Sequence, residues 1–341
     1  MKKYHQMEYT DIITETPFIP DVIHPVMLTE QTDNKESEKH FITANTIAGD
    51  LAELKSIHLI PVFHKDNEPT ISHTDFIESM QEITAEMFTG EHILKPVVRL
   101  SHPIKGRVPE AKNKAANELQ EWEKTIYYER MAFAIEIPSI QSEIDGNLLS
   151  LTVGGVKSYH LDNLYSKNTC DQHFKLFIGF KNKVCCNMCI RTDGFMGEVE
   201  VKSIGQLRAM IKTLLESYNS QLHLYSLQQL ATYSITEHQF AQLIGRCRMY
   251  PHLPQYIRKD IHPLLFGDSM MSSVVKDFYR DESFCKDKNG NINLWRLYNL
   301  FTGANKSSYI DSFLDRSVNA FNFTEQISWA LEGKNECWYL N

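Results

Sequence analysis

Apolar residues recur along this chain with two different periods. Near residue 130 the period is two: Met131, Phe133, Ile135 and Ile137 alternate with smaller or polar residues, as in a strand with one packed face. Asp145-Gly146-Asn147 then supplies hairpin turn chemistry before a second apolar stretch from Leu148 to Val156, because Asp and Gly accept the positive φ of tight hairpin turns. Two further stretches, Phe174 to Phe180 and Val184 to Ile190, flank the turn Lys181-Asn182-Lys183. A four-stranded antiparallel meander over residues 130–190 is expected. From Ser203 the period lengthens to 3.6. Ile204, Leu207, Ile211, Leu214, Leu215 and Tyr218 mark a long amphipathic helix, and Thr236 followed by Gln239 has the form of a capping box opening another through Phe240, Leu243 and Ile244. Further helices are expected over 269–279, 294–301 and 309–321. Strands followed by helices predict an α+β fold.

Upstream of the meander, Ile57 to Phe63 reads as a strand and Asp66 to Pro69 as a turn. Ser72 or Thr74 should cap a helix running to about Phe88. Its stripe of Phe76, Ile77, Met80, Ile83 and Met87 reads as core packing. Ile93 to Leu100 returns to strand character, Ser101 to Lys114 reads as a loop, and a polar helix should follow to about Lys124. Residues 1–45 carry Pro17, Pro20, Pro25 and the polar run Glu30 to His40, a composition of extended arms and linkers. The expected organisation is therefore an arm at 1–45, a sheet-rich α+β domain at 46–201, and a helical region at 202–341 packed on it.

Composition narrows the function classes. The 341 residues include enough apolar side chains, 42%, to bury a substantial core. A net charge of −8 argues against a chain that coats nucleic acid indiscriminately, although four of those net charges come from residues 1–40, so the remainder is closer to balanced. No apolar run approaches the roughly 20 residues of a membrane helix, and no leader follows Met1-Lys2-Lys3. Seven cysteines without a disulfide spacing fit a reducing compartment. A cytoplasmic protein without membrane contact is expected.

Three constellations bear on chemistry. Cys170 and His173, followed by Cys186 and Cys189, form two soft-ligand pairs, each with a two-residue gap, which is the spacing of a tetrahedral structural zinc site. The opposing reading is that Val184 to Ile190 is a regular strand, in which Cys186 and Cys189 point to opposite faces and act, like other buried cysteines, as small hydrophobes. The second constellation is the basic stretch Lys105, Arg107, Lys112 and Lys114. The third runs through Arg246, Arg248, Tyr250, Tyr256, Arg258 and Lys259, interleaving cations with aromatic rings as single-strand binding surfaces do. Two apparent motifs fail. Lys306-Ser307 lacks the glycines of a phosphate loop, and Asp287 to Tyr298 begins like a calcium loop but has Tyr298 where the twelfth position needs Glu, so it reads as a turn with Asn293 capping the next helix. Neither Gly-x-Ser-x-Gly nor His-Glu-x-x-His is present, and no catalytic residue can be named.

Phe174-Lys-Leu-Phe-Ile-Gly-Phe180, Val184-Cys-Cys186-Asn187, and Asn293-Leu-Trp295-Arg-Leu-Tyr298-Asn299 through Thr302 to Ser308-Tyr309 together resemble an uncharacterised family of bacterial proteins carried on conjugative and phage-like elements. That family is distantly related to a larger phage/plasmid-like family of unknown function. The resemblance spans residues 55–325 and implies a mobile-element context without an activity. It also implies that Cys186-Asn187 is a strand feature unrelated to Cys170 and His173. The leading expectation is a non-enzymatic accessory protein of a mobile element that contacts nucleic acid, single-stranded DNA above all, through the two basic stretches. The alternative is a protein-interaction module that inhibits a host defence complex through its acidic arm.

Overall fold

The computed structural model describes residues 40–57, 70–162 and 171–341. Residues 1–39 of the expected arm, most of the strand Ile57 to Phe63, the turn Asp66 to Pro69 and Cys170 lie outside the described residues. Ile57 itself closes a helix. The elements run in the order β1 (Thr46–Gly49), α1 (Leu51–Ile57), α2 (His73–Met87), β2 (Val97–Ser101), β3 (Ile104–Arg107), β4 (Lys124–Tyr127), β5 (Arg130–Ile144), β6 (Asn147–Ser158), β7 (Gln172–Asn182), β8 (Met188–Cys189) and β9 (Phe195–Val201). The helical half follows with α3 (Ile204–Ser217), α4 (Ser220–Thr232), β10 (Ser234–Ile235), α5 (Glu237–Met249), α6 (Gln255–Arg258), α7 (Asp268–Arg280), β11 (Ile292–Asn293), α8 (Leu294–Asn305) and α9 (Ile310–Leu331). The fold is α+β.

Among the described residues, seven strands form one antiparallel sheet in the order β1-β2-β5-β6-β7, with β8 and β9 both pairing β7. The long β5–β6 hairpin turns through Asp145 at φ +49° and Gly146 at φ +74°, with Ile144 paired to Asn147. Two successive positive φ angles give a turn whose twist matches that of the strands, and Gly takes the second at no steric cost. Along β7, Phe174, Leu176, Ile178 and Phe180 face the main core, while Phe177 faces a second cluster. The main core is built against α2 and α3. There the Phe76 ring meets Phe133 and Phe174 edge-on, each at 5.0 Å, and it sits so close to β6 that a Cβ on Gly155 would lie 2.4 Å from it. The second face carries the start of α9, where Ile310, Phe313, Leu314 and Val318 pack on Ala132, Ala134, Val156 and Phe177.

Several elements depart from the expected pattern. The fourth meander strand shrinks to Met188–Cys189, because Lys183 to Cys186 is spent on a turn. Cys186 sits there at φ +59°, so it is a turn residue rather than one face of a strand. The sheet recruits Phe195–Val201, unmarked by apolar alternation, as β9. The strand expected from Ile93 starts at Val97, and the polar helix expected before Lys124 is replaced by short 3-10 turns and the β3–β4 pair. Helix α4 escaped the apolar pattern because its buried stripe is His223, Leu227 and Leu230, and a histidine reads as polar. The capping assignments at Ser72, Thr236 and Asn293 hold, each side chain accepting the backbone N–H three residues on, and Ser203 caps α3 in the same way. Asp287 accepts the N–H groups of Asn289 and Asn291, as a turn residue should.

The sheet and the helical half meet at a polar junction. Asn182, at the end of β7, donates to Asn147 at 3.2 Å and to Asn299 of α8 at 3.3 Å, and its own oxygen accepts the Val184 N–H at 2.9 Å. Asn187 donates to the Asn299 carbonyl at 3.0 Å and side-chain oxygen at 3.2 Å, and Asn299 donates to the Trp295 carbonyl at 2.9 Å. All four asparagines are buried. Lys306, just past α8, donates to the Cys185 carbonyl, and its own carbonyl accepts the N–H groups of Thr43 and Ala44. Cys189 is fully buried beside Tyr298, where burial pushes its thiol far above the usual range.

Two outcomes follow from this packing. Replacing Asn299 with Ala removes the side-chain oxygen that both amides share; Asn182 keeps Asn147 and Asn187 keeps the backbone carbonyl of residue 299, so each loses one of two hydrogen bonds. At roughly 1–3 kcal/mol for each buried N–H left unpaired, N299A should lower the urea unfolding free energy by about 2–4 kcal/mol. His223 is enclosed by the Phe180 and Phe321 rings, each at 5.5 Å, with its Nδ1 2.7 Å from the Tyr218 hydroxyl. Burial lowers its pKa to about 3. The folded chain then keeps the imidazole neutral while the unfolded chain protonates it below about pH 6.5, so stability is full above that pH and falls below it, by up to about 1.4 kcal/mol per unit. His223→Gln should flatten the stability profile between about pH 6.5 and 5 in urea titrations.

Candidate nucleic-acid interface

Strands β2 and β5 are neighbours, with Leu100 paired to Met131, so the 102–129 segment leaves the sheet and returns to almost the same place. It forms an excursion stiffened by its own two-stranded ladder, in which Lys105 opposes Ile126 and Arg107 opposes Lys124. Beyond the ladder lie three short 3-10 turns, at Pro109–Ala111, Ala116–Glu118 and Glu121–Glu123. An excursion this polar cannot be held by a core, and Glu123 takes that role. Its carboxylate is buried, accepts the Gln120 N–H at 2.8 Å and pairs with Lys114. The hydrogen bond from Lys114 holds its pKa below the usual carboxylate range. Arg107 donates to the Lys114 carbonyl, so the first basic stretch is gathered onto one small scaffold.

The same scaffold displays Trp122, 69% exposed, with the Lys114 ammonium 5.9 Å from its ring centre. No apolar periodicity points to this residue; the signal available in the sequence is a lone tryptophan between Glu121 and Glu123 in a segment with nothing else to bury. Lys105 and Lys112 are exposed alongside. Ring and cations together can stack on a flat π-face and neutralise a phosphate backbone.

The second basic stretch is divided by the fold. Arg246 lies over the Trp338 ring at 4.8 Å and donates to the Asn341 carbonyl. Arg248 donates to Ser272 at 2.8 Å and faces Asp268 at 3.5 Å. Tyr250 is buried, 6.0 Å from Tyr339, and cannot stack on a ligand. What remains on the surface is α6 and its end: Tyr256, 70% exposed, with Arg258 and Lys259, which form no ion pair among the described residues. No hydrogen bond or ion pair among the described residues joins this patch to the β3–β4 excursion.

The cysteine and histidine set does not converge. His173 pairs with Glu200 at one end of β7, and Cys189 pairs with Phe180 near the other. At about 3.3 Å per residue these positions are roughly 23 Å apart, so His173 and Cys189 cannot share an ion. The His173 ring instead faces Glu200 at 3.1 Å. Cys170 lies outside the described residues, and no cluster of three or more potential metal ligands occurs among those described. Elsewhere the Lys157 ammonium is enclosed, 4.2 Å from the Phe174 ring centre, and held by both oxygens of Asp162 at 2.7 and 2.6 Å. Burial lowers its pKa to about 8. The pair anchors the turn that follows β6 and is closed to solvent. No helix among the described residues is long and apolar enough to cross a membrane.

Neither a curated protein nor a solved structure matches the chain. Residues 23–340 match the family described as "Domain of unknown function, B. Theta Gene description (DUF3871)". The match takes in the sheet, the excursion, the asparagine junction and all the described helices, and the chain belongs to that family.

Proposed function

We propose that this chain is a non-enzymatic accessory protein of a mobile genetic element and that it contacts single-stranded nucleic acid through the β3–β4 excursion. The observation that carries the reading is Trp122, an exposed indole with a lysine ammonium against it, on a scaffold that also presents Lys105, Arg107 and Lys112. An exposed indole beside several cations offers a base a matching π-face and its phosphate a counter-charge. The exposed Tyr256 with Arg258 and Lys259 supplies a second contact of the same chemistry. A net charge of −8 confines such binding to local patches. The mobile-element context is supported by the Cys186-Asn187 and Trp295-to-Asn299 likeness, whose residues meet at the asparagine junction.

Fluorescence anisotropy of a labelled oligothymidine at low salt tests the reading. The expected result is saturable binding that weakens as salt rises. Trp122→Ala should weaken it by roughly 5- to 100-fold, since stacking contributes about 1–3 kcal/mol per base. Charge reversal at Arg258 and Lys259 should weaken it further, whereas Arg246→Gln should have a smaller effect because that guanidinium is engaged with Trp338. Absence of binding at low salt, or unchanged binding by Trp122→Ala, would overturn the proposal.

A further inference from the structure

The sheet face that carries α9 holds a cleft of about 640 Å³, within the range of small-molecule sites. Its apolar lining is Val156, Leu161, Phe174 and Phe195, and its charged and titratable lining is His173, Lys175, Glu198 and Asp315. Leu161 is left exposed here by the turn that Lys157 and Asp162 anchor. Gly197 keeps the space open: a Cβ there would lie 2.9 Å from the Phe195 ring and 3.7 Å from the Asp315 Oδ1.

The charges around the cleft are unequal. Lys175 is engaged by Asp315 Oδ2 at 2.5 Å and by the Asp311 carbonyl at 2.7 Å. Arg130 is engaged by Asp311 at 2.6 Å and Glu129 at 2.9 Å, and the His173 ring faces Glu200 at 3.1 Å. Lys175 and Arg130 are thus satisfied by protein, while Glu198 has no ion-pair partner among the described residues and Asp315, paired with Lys175 through Oδ2, keeps Oδ1 near Gly197. An anionic ligand would meet surplus carboxylate. A cation would meet two carboxylates and an aromatic face, with apolar surface beside them for a hydrocarbon stem.

We propose that this cleft binds a small aliphatic ammonium compound, its cation between Glu198 and Asp315 over the Phe195 ring and its stem along Val156 and Leu161. The test is isothermal titration of the full chain with cadaverine, and with 1,5-pentanediol as its uncharged counterpart. Cadaverine should bind saturably and the diol should not. Glu198→Gln leaves Lys175 and Asp315 paired, so the fold is kept. It should weaken cadaverine binding about fivefold, the scale of a partly exposed charge contact, and Phe195→Leu should weaken it too. Glu118→Gln, on the distant excursion, should bind as the unaltered chain does. Equal binding of the diol, no binding of cadaverine, or unchanged binding by Glu198→Gln would overturn the proposal. So would equal losses for Glu198→Gln and Glu118→Gln, which would show attraction to net negative charge alone.

Discussion

Asn299 is the side chain on which the two halves of this molecule depend. It is buried in α8, yet its amide and carbonyls answer the strand end at Asn182, the turn at Asn187 and the preceding helical turn at Trp295. Buried polar groups are tolerated only when paired, so each asparagine fixes the position of the next. The junction extends along the chain through Lys306, which holds the Cys185 carbonyl and the lead-in to β1. It extends again through Asn305, which donates to the Phe313 carbonyl and to Ser317 and so sets the angle of α9. The seat of α9 on the second sheet face is a consequence of where α8 ends.

That placement divides the sheet between two tasks. On the face toward α2 and α3 the packing is dense enough that β6 needs glycine beneath Phe76. On the other face, among the described residues, the start of α9 with Phe41 and Ile42 packs on the strands, and the end of β6, β7 and β9 lines the cleft beside Asp315. Chemistry-bearing side chains are consequently pushed to the periphery: carboxylates around the cleft, and cations with an indole on the excursion between β2 and β5. The excursion is held by the local ion pair at Glu123, and the cleft sits on buried strand residues such as Val156 and Phe174.

Much of the fold was legible in the chain. Period-two alternation located β5, apolar stretches located β6 and β7, the Asp145-Gly146 turn set the β5–β6 register, and capping residues placed the starts of α2, α5 and α8. Failures occurred where side-chain polarity misleads. His223 lies on the buried face of α4 because Tyr218 satisfies one ring nitrogen. Cys186 occupies a left-handed turn position that is uncommon for a residue with a Cβ. The site was less legible than the fold. The cations Lys105, Arg107, Lys112 and Lys114 were nameable, but their gathering around Glu123 and the display of Trp122 depend on pairings between strands.

The sequence by itself determined the α+β order, the hairpin register and the helix starts, since these follow from interactions between residues a few positions apart. Only the tertiary structure decided which charged and soft side chains can act together. Arg246 and Tyr250 are taken up by packing against Trp338 and Tyr339, and the length of β7 separates His173 from Cys189. The asparagines of two distant motifs are drawn into one junction. Those outcomes depend on contacts between residues far apart in the chain, which local pattern does not encode, and on the cost of leaving a polar group unpaired once the core has closed around it.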